Sequence, residues 1–307
     1  VRDLCVVIVS EGNAPRVCAA LEGAMEHAGW LDLEAVVIDD GDGSVSEHVE
    51  HRFLGVRTVR CVSGDLGNAC NRIAQETDAG YVLFLDPNLV ICEGSLATPV
   101  ALLERRPDVA VAGIRQIDED GALFPSIRRF PSAQHMLAEA LGADRLPGVR
   151  TLLGERELDR RRYERESECD WTTGFLLTRR TALASVGWLE ECFPGFARDA
   201  DLCARLSEQG WRVIHSPTVT SLRRRPATAR SERAEAQVAQ ARMRLAEKHL
   251  PRSASAFRRA LALGYLLRLG VYTLASGYER RRRAAGAALA ATVRGRAARG
   301  LPSTLRP

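Results

Sequence analysis

An α/β fold, with a parallel sheet flanked by crossover helices and a helical C-terminal extension, is what the sequence predicts, on three observations. Over the first hundred residues short apolar runs alternate with helical patterns, as in a sheet linked by crossover helices. Acidic residues recur directly after the apolar runs, at the carboxyl edge where open α/β sheets bind ligands. The 307 residues, 46% hydrophobic and 27% charged, have the composition of a folded protein and exclude a disordered, collagen-like or disulfide-stapled chain.

Taken in order, Leu4 to Val9 reads as a buried first strand, Ala14 to Ala28 as a helix, and Leu33 to Ile38 as a strand running into Asp39-Asp40-Gly41-Asp42-Gly43. Val56 to Val62 is a third strand and Leu66 to Thr77 a helix; Tyr81 to Leu85 is a fourth strand, stopped by Asp86-Pro87-Asn88. A helix from Gly94 to about Arg105 leads to a strand at Val109 to Gly113. Residues 141 to 168, rich in Arg, Glu, Gly and Leu, are expected to form a mobile loop or small helix over the site. Trp171 to Arg179 and Trp211 to His215 read as strands around a helix, Asp199 to Gln209, with an acidic first turn. Thr228 to Lys248 is a long amphipathic helix, followed by Pro251 and a largely apolar stretch from Ala260 to Tyr278.

The eight cysteines form no CxxC pair and no zinc-spaced cluster, so they are expected as reduced core residues of a cytosolic protein. The N-terminal apolar run is short and lacks a small-residue cleavage site, which reads as a strand and not as a signal peptide. Ala260 to Tyr278 is interrupted by Arg268 and flanked by Arg258-Arg259 and by Glu279 and Arg280 to Arg283. A spanning helix needs roughly 20 apolar residues with few charges, so this stretch is expected to be interfacial.

Charge divides the chain. Residues 1–222 carry 23 basic and 35 acidic side chains, net −12, whereas residues 223–307 carry 20 basic and four acidic, net +16. The expected domains are accordingly 1–226 and a basic helical extension, 227–307. A basic tail usually meets a polyanion. Cations bracketing an apolar helix, with Tyr265, Tyr272 and Tyr278 suited to a headgroup boundary, point to an anionic membrane surface and hence a peripheral location on the inner face of the cell membrane. A homodimer through the C-terminal helices is the competing reading; nucleic acid is disfavoured because no recognition motif accompanies the charge.

Six segments in register carry a family resemblance: Val6-Val7-Ile8-Val9 with its polar loop, Val37-Ile38-Asp39-Asp40-Gly41, Leu66 to Arg72, Leu83-Phe84-Leu85-Asp86-Pro87-Asn88, Asp170 to Phe175, and Arg198-Asp199-Ala200-Asp201-Leu202-Cys203. Together they resemble the inverting family 2 glycosyltransferases of the GT-A, nucleotide-diphospho-sugar transferase fold, over roughly residues 4–226, and the resemblance implies a mixed central sheet flanked by helices. Arg128-Arg129-Phe130-Pro131-Ser132 makes the likeness greatest to the rhamnosyltransferase branch. The resemblance implies transfer of a sugar from a nucleotide-diphosphate donor, of dTDP-rhamnose or UDP-sugar type, to a hydroxyl of a lipid-linked or small-molecule acceptor.

It also implies roles. Asp39, with Asp40, would contact the nucleoside; Asn71 and Arg72 would face the donor from a helix; Asp86, with the weaker ligand Asn88, would hold Mg²⁺ or Mn²⁺ against the diphosphate. Asp199 would be the general base that takes the acceptor proton, while Trp171, Thr172, Thr173, Gly174 and Asp201 would line the sugar and acceptor side. Each has a plainer alternative: a solvated Asp/Gly turn for Asp39 and Asp40, helix N-terminal acids for Asp199 and Asp201, a core Trp for Trp171. Two departures stand out. Arg198 replaces the usual Glu before the base, and Arg223, Arg224 and Arg225 stand where relatives place a metal-binding His. Arginine cannot ligate a metal but can hold a diphosphate by charge-assisted hydrogen bonds. The departures also leave room for a degenerate protein that binds a nucleotide sugar, or scaffolds a partner subunit, without catalysis.

Overall fold

The computed structural model describes residues 2–10, 12–61, 66–141, 154–193, 195–225, 231–274 and 278–294. Its strands are β1 (Leu4–Ser10), β2 (Leu33–Asp39), β3 (Arg57–Arg60), β4 (Tyr81–Leu85), β5 (Leu89–Glu93), β6 (Val109–Asp118), β7 (Leu123–Phe124), β8 (Ile127–Arg128), β9 (Ser167–Cys169), β10 (Trp171–Thr172), β11 (Phe175–Arg179) and β12 (Arg212–Arg223). The helices are α1 (Ala14–Glu26), α2 (Ser44–Arg52), α3 (Leu66–Glu76), α4 (Ala97–Arg105), α5 (Ala133–Leu141), α6 (Arg180–Ser185), α7 (Gly195–Glu208), α8 (Glu232–His249), α9 (Ala254–Leu274) and α10 (Glu279–Arg294).

The chain divides into two compact units, one of residues up to 128 with 159–226, the other of 129–158 with 227 onward. The first holds the main sheet, in the order β3-β2-β1-β4-β11-β6-β12-β5, with β7 on β6 and β9 on β12. β1, β2, β3 and β4 pair in parallel, β11 runs antiparallel to β4 and β6, and β12 is parallel to β6 but antiparallel to β5. The sheet is therefore mixed and flanked by helices, as the family resemblance implies; the parallel sheet expected from the alternating pattern is realised in β1 to β4, and β11 and β5 add antiparallel pairs. Parallel strands covered on both faces read as continuous apolar runs, and in β1 only Val9 is not fully buried. At α1 the Asn13 side chain accepts from the Arg16 N–H and Pro15 occupies the first turn, so helix entry is fixed just past β1.

Three elements differ from expectation in ways that build the site. The stretch Trp171–Arg179 is not one strand: β10 pairs with β8 in a separate two-stranded sheet, and the break falls at Thr173-Gly174, where Gly174 has φ +80°. β12 continues past His215 to Arg223, because β5 supplies it with a second antiparallel partner. Helix α7 starts at Gly195, so Asp199 lies beyond its first turn, which contains no acid. Of the expected loop at 141–168, residues 142–153 lie outside the described residues, and the remainder holds a 3₁₀ turn at Arg160–Tyr163 and β9. All eight cysteines are free thiols, but Cys92 and Cys192 are exposed and not core residues.

The second unit is helical, with a core of Met136, Met243, Phe257, Leu261 and Tyr265 among small alanines. Tyr265 is buried there, so it is not one of the tyrosines that reach a surface. Glu139 of α5 lies 3.5 Å from Arg242 of α8 and 2.5 Å from Arg268 of α9. The opposite face of α9 exposes Leu266, Leu267, Val271 and Leu274, the last at 91%. No helix among the described residues is long and apolar enough to cross a membrane.

Candidate active site

The site is assembled at the carboxyl ends of β2 and β4, which flank β1, and these ends stand roughly 10 Å apart from the spacing of strands in a sheet. Apolar β4 delivers Asp86 to the edge, and Pro87 prevents the strand from continuing. Asp86 Oδ1 accepts from the Asn88 backbone N–H at 2.9 Å and from its Nδ2 at 2.7 Å, closing an Asx turn. Asp86 Oδ2 accepts from Arg223 Nη2 at 3.1 Å. Arg223 is the last residue of β12 and is set opposite Leu89 by the sheet register. Its Nη1 donates to Gln116 Oε1 at 3.3 Å, and its guanidinium lies over the Phe124 ring at 4.5 Å. Buried Gln116 donates in turn to the Thr173 carbonyl at 2.7 Å.

Gly174 closes this arrangement. Its carbonyl accepts from the Asp86 N–H at 2.7 Å, and a Cβ there would sit 2.8 Å from Arg223 Nη1. With φ at +80° as well, only glycine fits without strain. Its own N–H donates to Asp199 Oδ2 at 3.3 Å, and the Thr173 hydroxyl lies 3.4 Å from the same oxygen. No cation pairs directly with the Asp199 carboxyl among the described ion pairs. Burial, with a smaller contribution from the nearby charge of Asp86, raises its pKa from 3.8 to about 6 against the opposing pull of Arg198 and the Gly174 N–H. Arg198 turns its Nη1 toward the Cys70 sulfur, 3.7 Å away, so the charge reversal beside Asp199 does not outweigh desolvation.

At the end of β2, Asp39 is 1% exposed and fully engaged: Oδ1 accepts from the Gly41 N–H, Oδ2 from the Ser46 N–H and hydroxyl. It ties the turn to the first turn of α2. Asp40 is the less committed carboxylate. Its Oδ1 is buried without a hydrogen-bond partner among the described residues, and burial, then the adjacent Asp39, raises its pKa.

Arg16, which the sequence did not single out, reaches from α1 across 72 residues to donate to Asn88 Oδ1, while its Nη2 donates to the Arg225 carbonyl at 2.6 Å. The Arg224 N–H donates to the Asn88 carbonyl at 2.8 Å. The segment after β12 is thus stitched to the Asp86-Pro87-Asn88 turn, though the Arg225 side chain points to Asp120 on the surface. The structure brings together Asp86, Asn88, Arg223, Thr173, Gly174 and Asp199, and adds Arg16 and Gln116.

Other expected residues lie elsewhere. Asn71 uses both ends of its amide on the Leu189 backbone, at 2.9 Å each, and exposed Arg72 pairs with Glu76. Asp201 is wholly buried against Arg205 at 2.8 Å. Trp171 is 2% exposed beneath the Arg128 guanidinium, and Thr172 is buried against Gly113. These are packing roles, and they leave Thr173 and Gly174 as the members of that segment that face Asp199.

The donor set at Asp86 and Asn88 does not fit Mg²⁺ or Mn²⁺ as placed. Both Asp86 oxygens and the Asn88 side-chain oxygen already accept from N–H groups, two of them guanidinium. Hard divalent cations need several such oxygens directed at one point. Among the described residues no three His, Cys, Asp or Glu side chains gather as a metal group.

The profile of glycosyl transferase family 2 matches residues 5–187. An N-acetylglucosaminyl-diphospho-decaprenol L-rhamnosyltransferase of Mycobacterium tuberculosis is 28% identical over 237 residues, 71% of this chain and 75% of that protein. The rhamnosyltransferase WbbL of Escherichia coli K12 is 23% identical over 224 residues, 69% of this chain and 80% of its own. Among solved structures, the mannosyltransferase PcManGT of Pyrobaculum calidifontis with GDP-Man and Mn²⁺ superposes with a TM-score of 0.54 at 14% identity, covering 96% of this chain and 88% of that one. GalNAc-T7 with UDP, GalNAc and Mn²⁺ gives 0.58 at 13%, covering 96% and 56%. Both likenesses establish a shared fold.

Proposed function

The chain belongs to glycosyl transferase family 2, which moves sugars from nucleotide-diphosphate donors, and from that premise we propose an inverting transfer in which Asp199 is the general base. The single observation that carries the reading is the state of Asp199: an unpaired carboxyl, raised to about 6, held by Gly174 and Thr173 beside Asp86. A base with a pKa near the working pH is both ionised and willing to take a proton. In the proposed step Asp199 accepts the proton of the acceptor hydroxyl, whose oxygen bonds to the anomeric carbon as the diphosphate departs from the opposite face. Arg223, beside Asp86, meets the charge that develops on the leaving group. At the nucleoside end Asp40, with its buried oxygen free of a described partner, would contact the nucleoside, and Asp39 holds the turn that presents it.

The two relatives named as rhamnosyltransferases support a rhamnosyl donor, such as dTDP-rhamnose, over a UDP-sugar, and the diphospho-decaprenol in the name of the first supports a lipid-linked over a small-molecule acceptor. Turnover of a nucleotide-sugar panel by wild type and Asp199→Asn is the test. Transfer by wild type, lost in the variant, supports the reading; a wild type that neither hydrolyses nor transfers any donor points instead to a degenerate binding protein.

For the second unit the proposed partner is an anionic membrane surface, with a peripheral location on its cytoplasmic face. Leu266, Leu267, Val271 and Leu274 form an exposed apolar face on α9, followed by Arg280 to Arg283 on α10. Cations beside an apolar face suit anionic headgroups, each basic residue adding about 1 kcal/mol at such a surface. A homodimer through this face is the competing partner, and it would bring together two copies of a segment, residues 223–307, that carries net +16.

A further inference from the structure

We infer that the donor diphosphate is held by guanidinium groups, Arg223 with Arg16 beside it, in place of a divalent cation on Asp86 and Asn88. This inference deepens the transferase reading and rests on it. Three contacts fix the Arg223 guanidinium: Asp86 at 3.1 Å, Gln116 at 3.3 Å and the Phe124 face at 4.5 Å. Two of its five N–H groups are used in those hydrogen bonds, which leaves three for an anion. The side chain remains 20% exposed, so an incoming phosphate can reach it.

The surrounding chain is fitted to this guanidinium. Gln116 is fully buried and links Arg223 to the Thr173 carbonyl, and Gly174 lacks the one atom that would collide with Arg223 Nη1. Arg16 brings a second cation to the same turn through Asn88 and the Arg225 carbonyl. Two guanidiniums face Asp86 at this turn, and an ionised Asp199 nearby brings the group to neutrality before any ligand binds. A divalent cation entering there would meet two guanidiniums and a neutral amide around oxygens that already accept hydrogen bonds. A diphosphate would meet complementary charge and planar donors suited to bidentate bonding with its oxygens.

Calorimetric titration of the full-length protein with UDP and with dTDP, in excess EDTA and in excess Mg²⁺, tests this. The expected result is binding in EDTA with a Kd within about threefold of that in Mg²⁺. Arg223→Met is expected to weaken it about tenfold or more in both buffers, as loss of charge-assisted bonds implies. Arg223→Lys, which keeps the charge without the fork, and Arg16→Gln serve as milder variants, with retained melting temperature as the control for folding. Asp86→Asn is the sharpest discriminator: binding retained supports guanidinium capture, whereas binding that requires Mg²⁺ and disappears in Asp86→Asn overturns it and leaves the transferase reading standing. No binding of either nucleotide in either buffer overturns both.

Discussion

Arginine meets carboxylate in both units, and the two meetings differ in what they leave over. In the helical unit Glu139 sits between Arg242 and Arg268; burial works to raise its pKa, but the two guanidiniums outweigh it and hold the carboxyl below its ordinary range. In the sheet unit Asp86 takes Arg223, and among the described residues Asp199 is left with a backbone N–H and a hydroxyl and the weaker pull of Arg198, so that desolvation prevails and its pKa rises to about 6. A saturated cluster holds helices together. A carboxyl denied its cation is costly to the fold and available to a substrate.

The largest expected effect follows directly. Asp199→Asn should lower turnover by about 10²- to 10⁴-fold, the usual contribution of a positioned base. Because the folded-state pKa of Asp199 is raised above 3.8, its ionised form disfavours the folded state, and the stability it costs is incurred as pH rises through about 6. The Asn variant should therefore melt no lower than wild type at pH 8, and a clear drop in Tm would show that the carboxylate is structural. Next in size is the pH profile. Below about 6 the base is protonated, so kcat/KM should fall about tenfold per pH unit there, and a flat profile between pH 5 and 7 would remove Asp199 from the chemistry.

The helical unit supplies the contrasting outcomes. Full-length protein should float with vesicles of phosphatidylcholine and phosphatidylglycerol but not with phosphatidylcholine alone, and Val271→Asp with Leu274→Asp should cut the bound fraction about tenfold. Flotation that ignores lipid charge, or a concentration-dependent dimer abolished by the same substitutions, would replace the membrane with another partner. The smallest effect is expected at Glu139→Gln. Its side chain is 30% exposed, so about 1–2 kcal/mol of stability should be lost, read as a lower Tm, with kcat/KM unchanged.

Adjacent residues were legible in the sequence and distant partners were not. Asp86-Pro87-Asn88 at the end of an apolar run, and Asp39 at the end of another, are readable because a strand, a breaker and a carboxylate lie within a few residues. Arg16 and Gln116 are invisible at that level: their partners lie 72 and 57 residues away and are brought near only by sheet order. Arg223 was noticed as a departure, but its contact with Asp86 depends on β12 running eight residues beyond His215, which the β5 partner makes possible. Asp201 is a different lesson. Two residues after Asp199 on α7, it must face about 200° away from it, toward Arg205, so helical geometry already excludes a shared site once both are placed inside the helix. Placing the helix start at Asp199 hid that exclusion.

The most direct test of the contrast between the two units is the titration of Asp199 itself. Carboxyl ¹³C NMR on uniformly labelled protein, with the resonance assigned by its disappearance in Asp199→Asn, should give a midpoint near pH 6. A midpoint at or below the ordinary 3.8 would contradict the account, because it would mean that this carboxylate, like Glu139, has already found its cation.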